Sequence, residues 1–90
     1  MVASVLRVHP AAYRHGVSHA DIVHAFHHAT VYREFDPEAQ AGKVLIIGPS
    51  TAGNHMELIG SMLNDGRMFV FHAMPLRKIF RHFLIDWTEQ

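Results

Sequence analysis

Nine of the ninety residues are histidine and none is cysteine. Proton transfer and metal binding therefore fall to imidazoles and carboxylates, with no thiolate to share the work. Three groupings qualify. The first is a set of histidines at helical spacing: His15 and His19, then His24 and His28, with His27 beside the second pair. Residues four apart share one side of a helix, the separation two metal ligands need. The run HAFHH lacks the glutamate of an HExxH site, so a third ligand would come from elsewhere in space, from His55, His72, Glu57 or Asp21. Ser18 and Asp21 also place a helix start between His15 and His19. In a chain this rich in histidine such pairs arise by composition. The favoured reading is solvated or partly packed rings with no metal and no cofactor; a histidine-bound metal protein is the minor alternative.

The second grouping is basic. Between Asp65 and Asp86 there is no acid, while Arg67, Arg77, Lys78 and Arg81 all fall there and His72 sits among them. Such a cluster could hold phosphate oxygens beside a proton shuttle; its plain alternative is a solvated helix face. The third is Arg14-His15-Gly16-Val17-Ser18, which reads as the join between two helices. Other chemistries are poorly supported. No GxSxG motif occurs, GPSTAG lacks the GK[ST] end of a phosphate loop, and Glu34, Asp36 and Glu38 read as an acidic loop edge.

The elements that position these residues can be read from punctuation. Val2 to Val8 is a short strand closed by Pro10. Pro10–Tyr13 is one helical turn ended by Gly16 in a left-handed conformation. Ser18 caps a helix with Asp21 three residues on, and Ile22, Ala25, Phe26 and Ala29 form its apolar face. Strands follow at Thr30 to Phe35 and Lys43 to Ile47. In the strand beginning at His55, the even positions Met56, Leu58, Gly60 and Met62 face the core, leaving Glu57 on the half-solvated side. Asn64-Asp65-Gly66 signals a hairpin with a tight primed turn. Arg67 to Met74 is an internal strand. Pro75 opens a last helix, whose stripe is Leu76, Ile79, Phe80, Phe83 and Leu84. The expected class is α+β: N-terminal helices, an antiparallel β-meander of three to four strands, and a C-terminal helix packed on the sheet.

Hydrophobic residues make up 49% and charged residues 18%, a balance that suits one small folded domain rather than disorder. Eight Lys and Arg offset eight Asp and Glu. Zero net charge argues against a globally basic nucleic-acid binder but leaves room for a local patch. No stretch approaches the apolar length of a membrane span, and the first ten residues lack the pattern of a signal peptide. A cytoplasmic location is the expectation.

The string RHGVS followed by an amphipathic helix resembles the KHGVSFEEA-type segment of the BrnT family, small toxins of bacterial type II toxin–antitoxin systems in the RelE/ParE-like superfamily. The likeness in element order runs from about Val8 to His82: an acidic loop, a strand ending Ile47-Gly48, a turn with Gly53-Asn54, a strand with Glu57-Leu58-Ile59, a hairpin, and a strand ending His72-Ala73-Met74-Pro75. The chain departs from the family pattern in being neutral, in carrying Met74 where a basic residue follows Ala73, and in having Val8-His9 where the family has Trp-Asp. Arg77 is the nearest substitute for the missing cation. The resemblance implies a RelE-like fold and a metal-independent endoribonuclease acting on mRNA, with a cognate antitoxin protein and an RNA substrate as partners, no membrane association, and self-association left open. Its site would use His72 as acid or base, His15 as the second such group, and Arg77 on the scissile phosphate. Lys78 and Arg81 would share that phosphate, with Arg14 and Arg67 at the margin and Tyr32 or Phe71 stacking a base. A non-enzymatic toxin-like module that binds a protein or nucleic acid is the alternative.

Overall fold

A computed structural model describes residues 5–34 and 43–84. Five strands form one sheet: β1 (Leu6–Val8), β2 (Val31–Glu34), β3 (Lys43–Pro49), β4 (His55–Met62) and β5 (Met68–Pro75). Their spatial order is β1-β5-β4-β3-β2. Strands β2 to β5 run antiparallel in sequence order, while β1 lies parallel to β5, so the sheet is mixed where the sequence suggested a purely antiparallel meander. One α-helix, α1 (His19–His27), covers one face. Before it comes a single 3-10 turn at Pro10–Tyr13, not a second full helix, and Gly16 ends that region at φ 80°.

The helix is built as its sequence requires. Ser18 Oγ accepts the Asp21 N–H at 3.1 Å, satisfying one of the amides a helix start leaves open. Asp21 in turn accepts from the Thr51 N–H at 2.9 Å and its hydroxyl at 2.7 Å. These bonds from Thr51 hold the Asp21 carboxyl below its ordinary range and tie the helix start to the β3–β4 turn. Ile22, Ala25 and Phe26 pack on Val44, Ile46, Met56, Leu58, Met68, Val70 and Ala73. Burying a side chain the size of Phe26 contributes about 1.5–3 kcal/mol. The approach is closest at Gly48, where a Cβ would lie 2.0 Å from the Ala25 carbonyl oxygen.

The opposite face has its own apolar cluster of Val31, Leu45 and Ile47, packed with Ile59, Leu76, Phe80, Phe83 and Leu84. The segment after β5 therefore folds across the sheet on the side away from α1. It differs from the expected helix. Pro75 is the last residue of β5, and the Leu76 N–H still bonds the His55 carbonyl at 3.1 Å. A 3-10 turn follows at Lys78–Phe80, with helical backbone at 82–84 where the described residues end. With a three-residue period, Phe80 and Phe83 share a side, and Ile79, expected in the stripe, is 61% exposed. The β4–β5 hairpin turns over Asn64–Gly66 between a Leu63 N–H and the Arg67 carbonyl, 2.7 Å apart, with Gly66 at φ 90°. It is a three-residue loop with one left-handed glycine instead of the two-residue primed turn. Among the described residues no helix is long and apolar enough to cross a membrane.

Replacing Gly48 by alanine forces α1 off β3. The expected loss is about 3 kcal/mol, the upper end for overpacking, and urea unfolding of Gly48→Ala measures it directly. Gly53→Ala, at a turn glycine with open space around it but φ 90°, should lose only about 1 kcal/mol from backbone strain.

Candidate active site

The site begins with a irregularity in β5. Pairing with β4 runs Leu58↔Ala73 and Ile59↔His72, then jumps to Gly60↔Val70. Phe71 is the extra residue of a β-bulge. Strand side chains alternate faces, so an unbroken β5 with Val70 on the α1 side would point His72 into that same core. The inserted residue reverses the alternation. His72 joins Phe69 and Phe71 on the face away from α1, while Val70 and Ala73 both remain in the helix-side core.

On that face His72 meets Glu57 of β4. Glu57 is fully buried, and its two oxygens accept four hydrogen bonds. Oε2 accepts from His72 Nε2 at 2.9 Å, from Arg77 Nε at 2.9 Å and from Arg77 Nη2 at 2.6 Å; Oε1 accepts the Arg77 backbone N–H at 2.9 Å. Burial alone would push the Glu57 carboxyl up, but the bonds from Arg77 and His72 outweigh it and hold the group below its ordinary value, so it is ionised. The same carboxylate holds Arg77 more firmly charged. Because the carboxylate can only accept here, His72 Nε2 carries a proton. The neutral ring then has its lone pair on Nδ1, which makes no hydrogen bond among the described residues.

Arg77 is stacked between Glu57 and Phe80, its guanidinium carbon 5.4 Å from the ring centroid. Its side chain is 42% exposed and that of His72 21%, so both reach the surface from a fully buried anchor. The His15 ring meets His72 edge-on, centroids 5.5 Å apart and planes at 73°. It is carried there by the turn following Pro10–Tyr13. His72 and Arg77 line a groove of about 660 Å³ with Arg14, Lys43 and His9, over an aromatic and aliphatic wall of Ile59, Phe69, Phe71 and Phe80. The groove thus combines cations, imidazoles and flat apolar rings.

The fold thus brings together His72, Arg77, His15 and Arg14. Four of the other expected positions lie elsewhere. Tyr32 packs against the helix-side core with its hydroxyl buried and without a hydrogen-bond partner among the described residues, and burial raises its ionisation range; it pairs with Ile46 and shares its side of the sheet, away from the groove. Arg67 sits at the hairpin, at the far end of the eight-residue β5 from Arg77, bonded to Asp65 at 2.7 Å. Lys78 is exposed outside the groove lining. Arg81 lines a separate hollow with Asn54, His55 and Leu76. Lys78 and Arg81 leave the cluster because the segment after Pro75 is a 3-10 turn and not the continuous helix that would have gathered them; Arg67 leaves it because β5 separates the hairpin from the groove. Phe71, the second base-stacking candidate, does line the groove. Sequence reasoning passed over Lys43, Phe69 and His9, and weighed Glu57 only as a possible metal ligand, not as the partner of His72 and Arg77. For Glu57 a signal existed: a lone acid between Met56 and Leu58 in an apolar strand.

The helical histidines are occupied otherwise. His24 Nδ1 bonds the Pro49 carbonyl at 2.8 Å and His28 Nδ1 bonds the His24 carbonyl at 3.0 Å, with the two rings stacked 4.2 Å apart. Among the described residues no three His, Cys, Asp or Glu side chains gather as a metal set. No protein-family model, curated protein or solved structure matches the chain.

Arg77→Ala leaves a buried, ionised Glu57 with only His72 and the backbone N–H of residue 77 as partners. Removing one member of such a pair costs about 3–5 kcal/mol; with Arg77 42% exposed, solvent moderates this to about 3 kcal/mol. The sign of the pH dependence is fixed. Glu57's depressed ionisation in the folded wild type gives stability that is present above its ordinary value of 4.5 and is lost as pH falls through the lower folded value. The gap between wild type and Arg77→Ala should therefore be widest near neutrality and narrow on acidification, in urea titrations at a series of pH values. A gap that widens in acid contradicts the assignment.

Proposed function

We propose that the protein is a metal-independent endoribonuclease of the RelE-like type, the toxin half of a toxin–antitoxin pair that acts on mRNA. The observation that carries this reading is His72: a ring fixed by a buried carboxylate, with Nδ1 making no hydrogen bond among the described residues, in ring contact with His15 and sharing its groove with Arg77. This is the equipment that cleavage at a ribose 2′-hydroxyl needs.

In the proposed reaction His72 Nδ1 takes the proton of the 2′-hydroxyl. The 2′-oxygen attacks phosphorus, and the bond from phosphorus to the 5′-oxygen breaks. Protonated His15 gives its proton to that leaving oxygen. The products are a 2′,3′-cyclic phosphate and a 5′-hydroxyl, so protons and electrons balance without water or metal. Arg77 bears on the phosphate as its charge develops, through the guanidinium hydrogens that Glu57 does not use. Glu57 remains ionised and keeps the ring in the productive tautomer, the orienting role a carboxylate plays behind a catalytic histidine. Phe71 and Phe69 offer flat surfaces for unstacked bases, which favours single-stranded RNA. The cognate partner would be an antitoxin that covers this groove. A cytoplasmic site of action belongs to the same proposal.

One feature favours the alternative of a binding module without catalysis: Arg77 spends its backbone N–H, Nε and Nη2 on Glu57, as an anchor for the C-terminal segment would. The two readings separate in one assay. Purified protein incubated with single-stranded RNA in excess EDTA should yield fragments ending in 2′,3′-cyclic phosphate, and His72→Ala should lose about 10²–10⁴-fold in rate. Intact RNA with the wild-type protein, or cutting that survives in His72→Ala, overturns the nuclease reading.

A further inference from the structure

His9 stands at the same groove and is set in the opposite sense to His72. It precedes the 3-10 turn with extended backbone, φ −77° and ψ 145°, and its Nδ1 accepts the Ala11 backbone N–H at 2.9 Å. A backbone amide can only donate, so Nδ1 holds no proton and the neutral ring keeps its hydrogen on Nε2. The Phe69 ring stands edge-on to it, centroids 5.6 Å apart and planes at 88°. Its own backbone is pinned by the His9 N–H to the Val70 carbonyl at 2.8 Å, one residue before the bulge. Nε2–H has no partner among the described residues. The groove therefore holds two oriented imidazoles: His72 offers an acceptor nitrogen and His9 a donor.

We propose that His9 binds substrate in this groove, donating Nε2–H as a neutral group to a non-bridging phosphate oxygen of single-stranded RNA. The inference rests on the reading of the groove as an RNA site, but not on cleavage. A neutral donor suits the position. The Ala11 contact fixes which nitrogen of the neutral ring carries the hydrogen, so the group it presents is a donor. Arg14, in the same groove, supplies charge instead. The two residues should then leave different signatures on salt dependence. Each phosphate neutralised by a cation steepens the fall of affinity with salt, whereas a neutral hydrogen bond adds affinity at constant slope.

The test uses a short 2′-O-methyl RNA strand, which cannot be cut, titrated into the full chain at about pH 8 over a range of salt. His9→Asn keeps a side-chain oxygen for the Ala11 amide but loses the reach of Nε2; His9→Ser does the same should the first variant fold poorly. The expected result is wild-type melting temperature, affinity down about tenfold, and an unchanged salt slope; Arg14→Gln should flatten the slope. Equal affinity in a well-folded His9 variant overturns the proposal, as does a flattened slope or failure of the wild type to bind the strand. Binding through His9 without cleavage of ordinary RNA supports this inference and sinks the nuclease reading alone. Cleavage with KM unmoved in His9→Asn does the reverse.

Discussion

A fully buried carboxylate on the central strand organises this molecule. Glu57 is sealed from water with Ile47 and Met74 opposite it on the flanking strands, and an ionised group in that position survives only if its lone pairs are filled. Four donors fill them, all from His72 and Arg77. The consequence runs both ways. The carboxylate fixes the tautomer of a histidine that reaches the surface, and it ties the start of the chain after β5 to the sheet. Arg77 is held by its backbone as well as its side chain, which sets the starting direction of the segment that brings Leu76, Phe80 and Phe83 down over Ile47 and Ile59. The second apolar cluster and the catalytic candidate are thus two outcomes of one ion-paired knot.

The bulge at Phe71 is the matching backbone constraint. Its single extra residue moves His72 from the α1 side to the Glu57 side without disturbing Val70 or Ala73, which both stay in the helix-side core. The parallel strand β1 ends its pairing at Val70, just before the bulge. His9 and the 3-10 turn occupy the space beside β5 from there on, so the groove's imidazoles come from adjacent backbones and not from distant loops. Zero net charge also looks different in this setting. Arg14, Lys43 and Arg77 share the groove, and Glu57, the acid bound to Arg77, is sealed beneath the surface. A neutral chain can present a cationic surface where its carboxylate is buried.

Much of the fold was legible. The Ser18 cap, the apolar face of α1, the turn at Pro10–Tyr13 and the left-handed Gly16 all follow from local chemistry, and the four strands from β2 to β5 follow from β-branched runs between turn residues. What was not legible depends on contacts across the sheet. Glu57 alternates with Met56 and Leu58, and alternation alone assigns it to solvent; its burial needs Arg77, twenty residues on, to fold back over it. Pro75 looked like a helix start because proline fits that place, yet ladder pairing to Met56 claims it for β5. Tyr32 has a strand residue's exposure pattern in one dimension, but Ile46 beside it faces α1 and so does Tyr32. His72 and Arg77 were picked out by type and neighbourhood; His9 was not, since its role comes from a single bond to the amide of Ala11.

The state of the His72 ring is open to direct observation. Long-range proton–nitrogen correlation spectra of the ¹⁵N-labelled protein, recorded on the neutral ring, distinguish its two nitrogens. A buried, ionised Glu57 requires the proton on Nε2 and leaves Nδ1 of the neutral ring unprotonated. A His72 ring with its proton on Nδ1, or one averaging freely between the two tautomers, contradicts the claim that Glu57 orients it for chemistry.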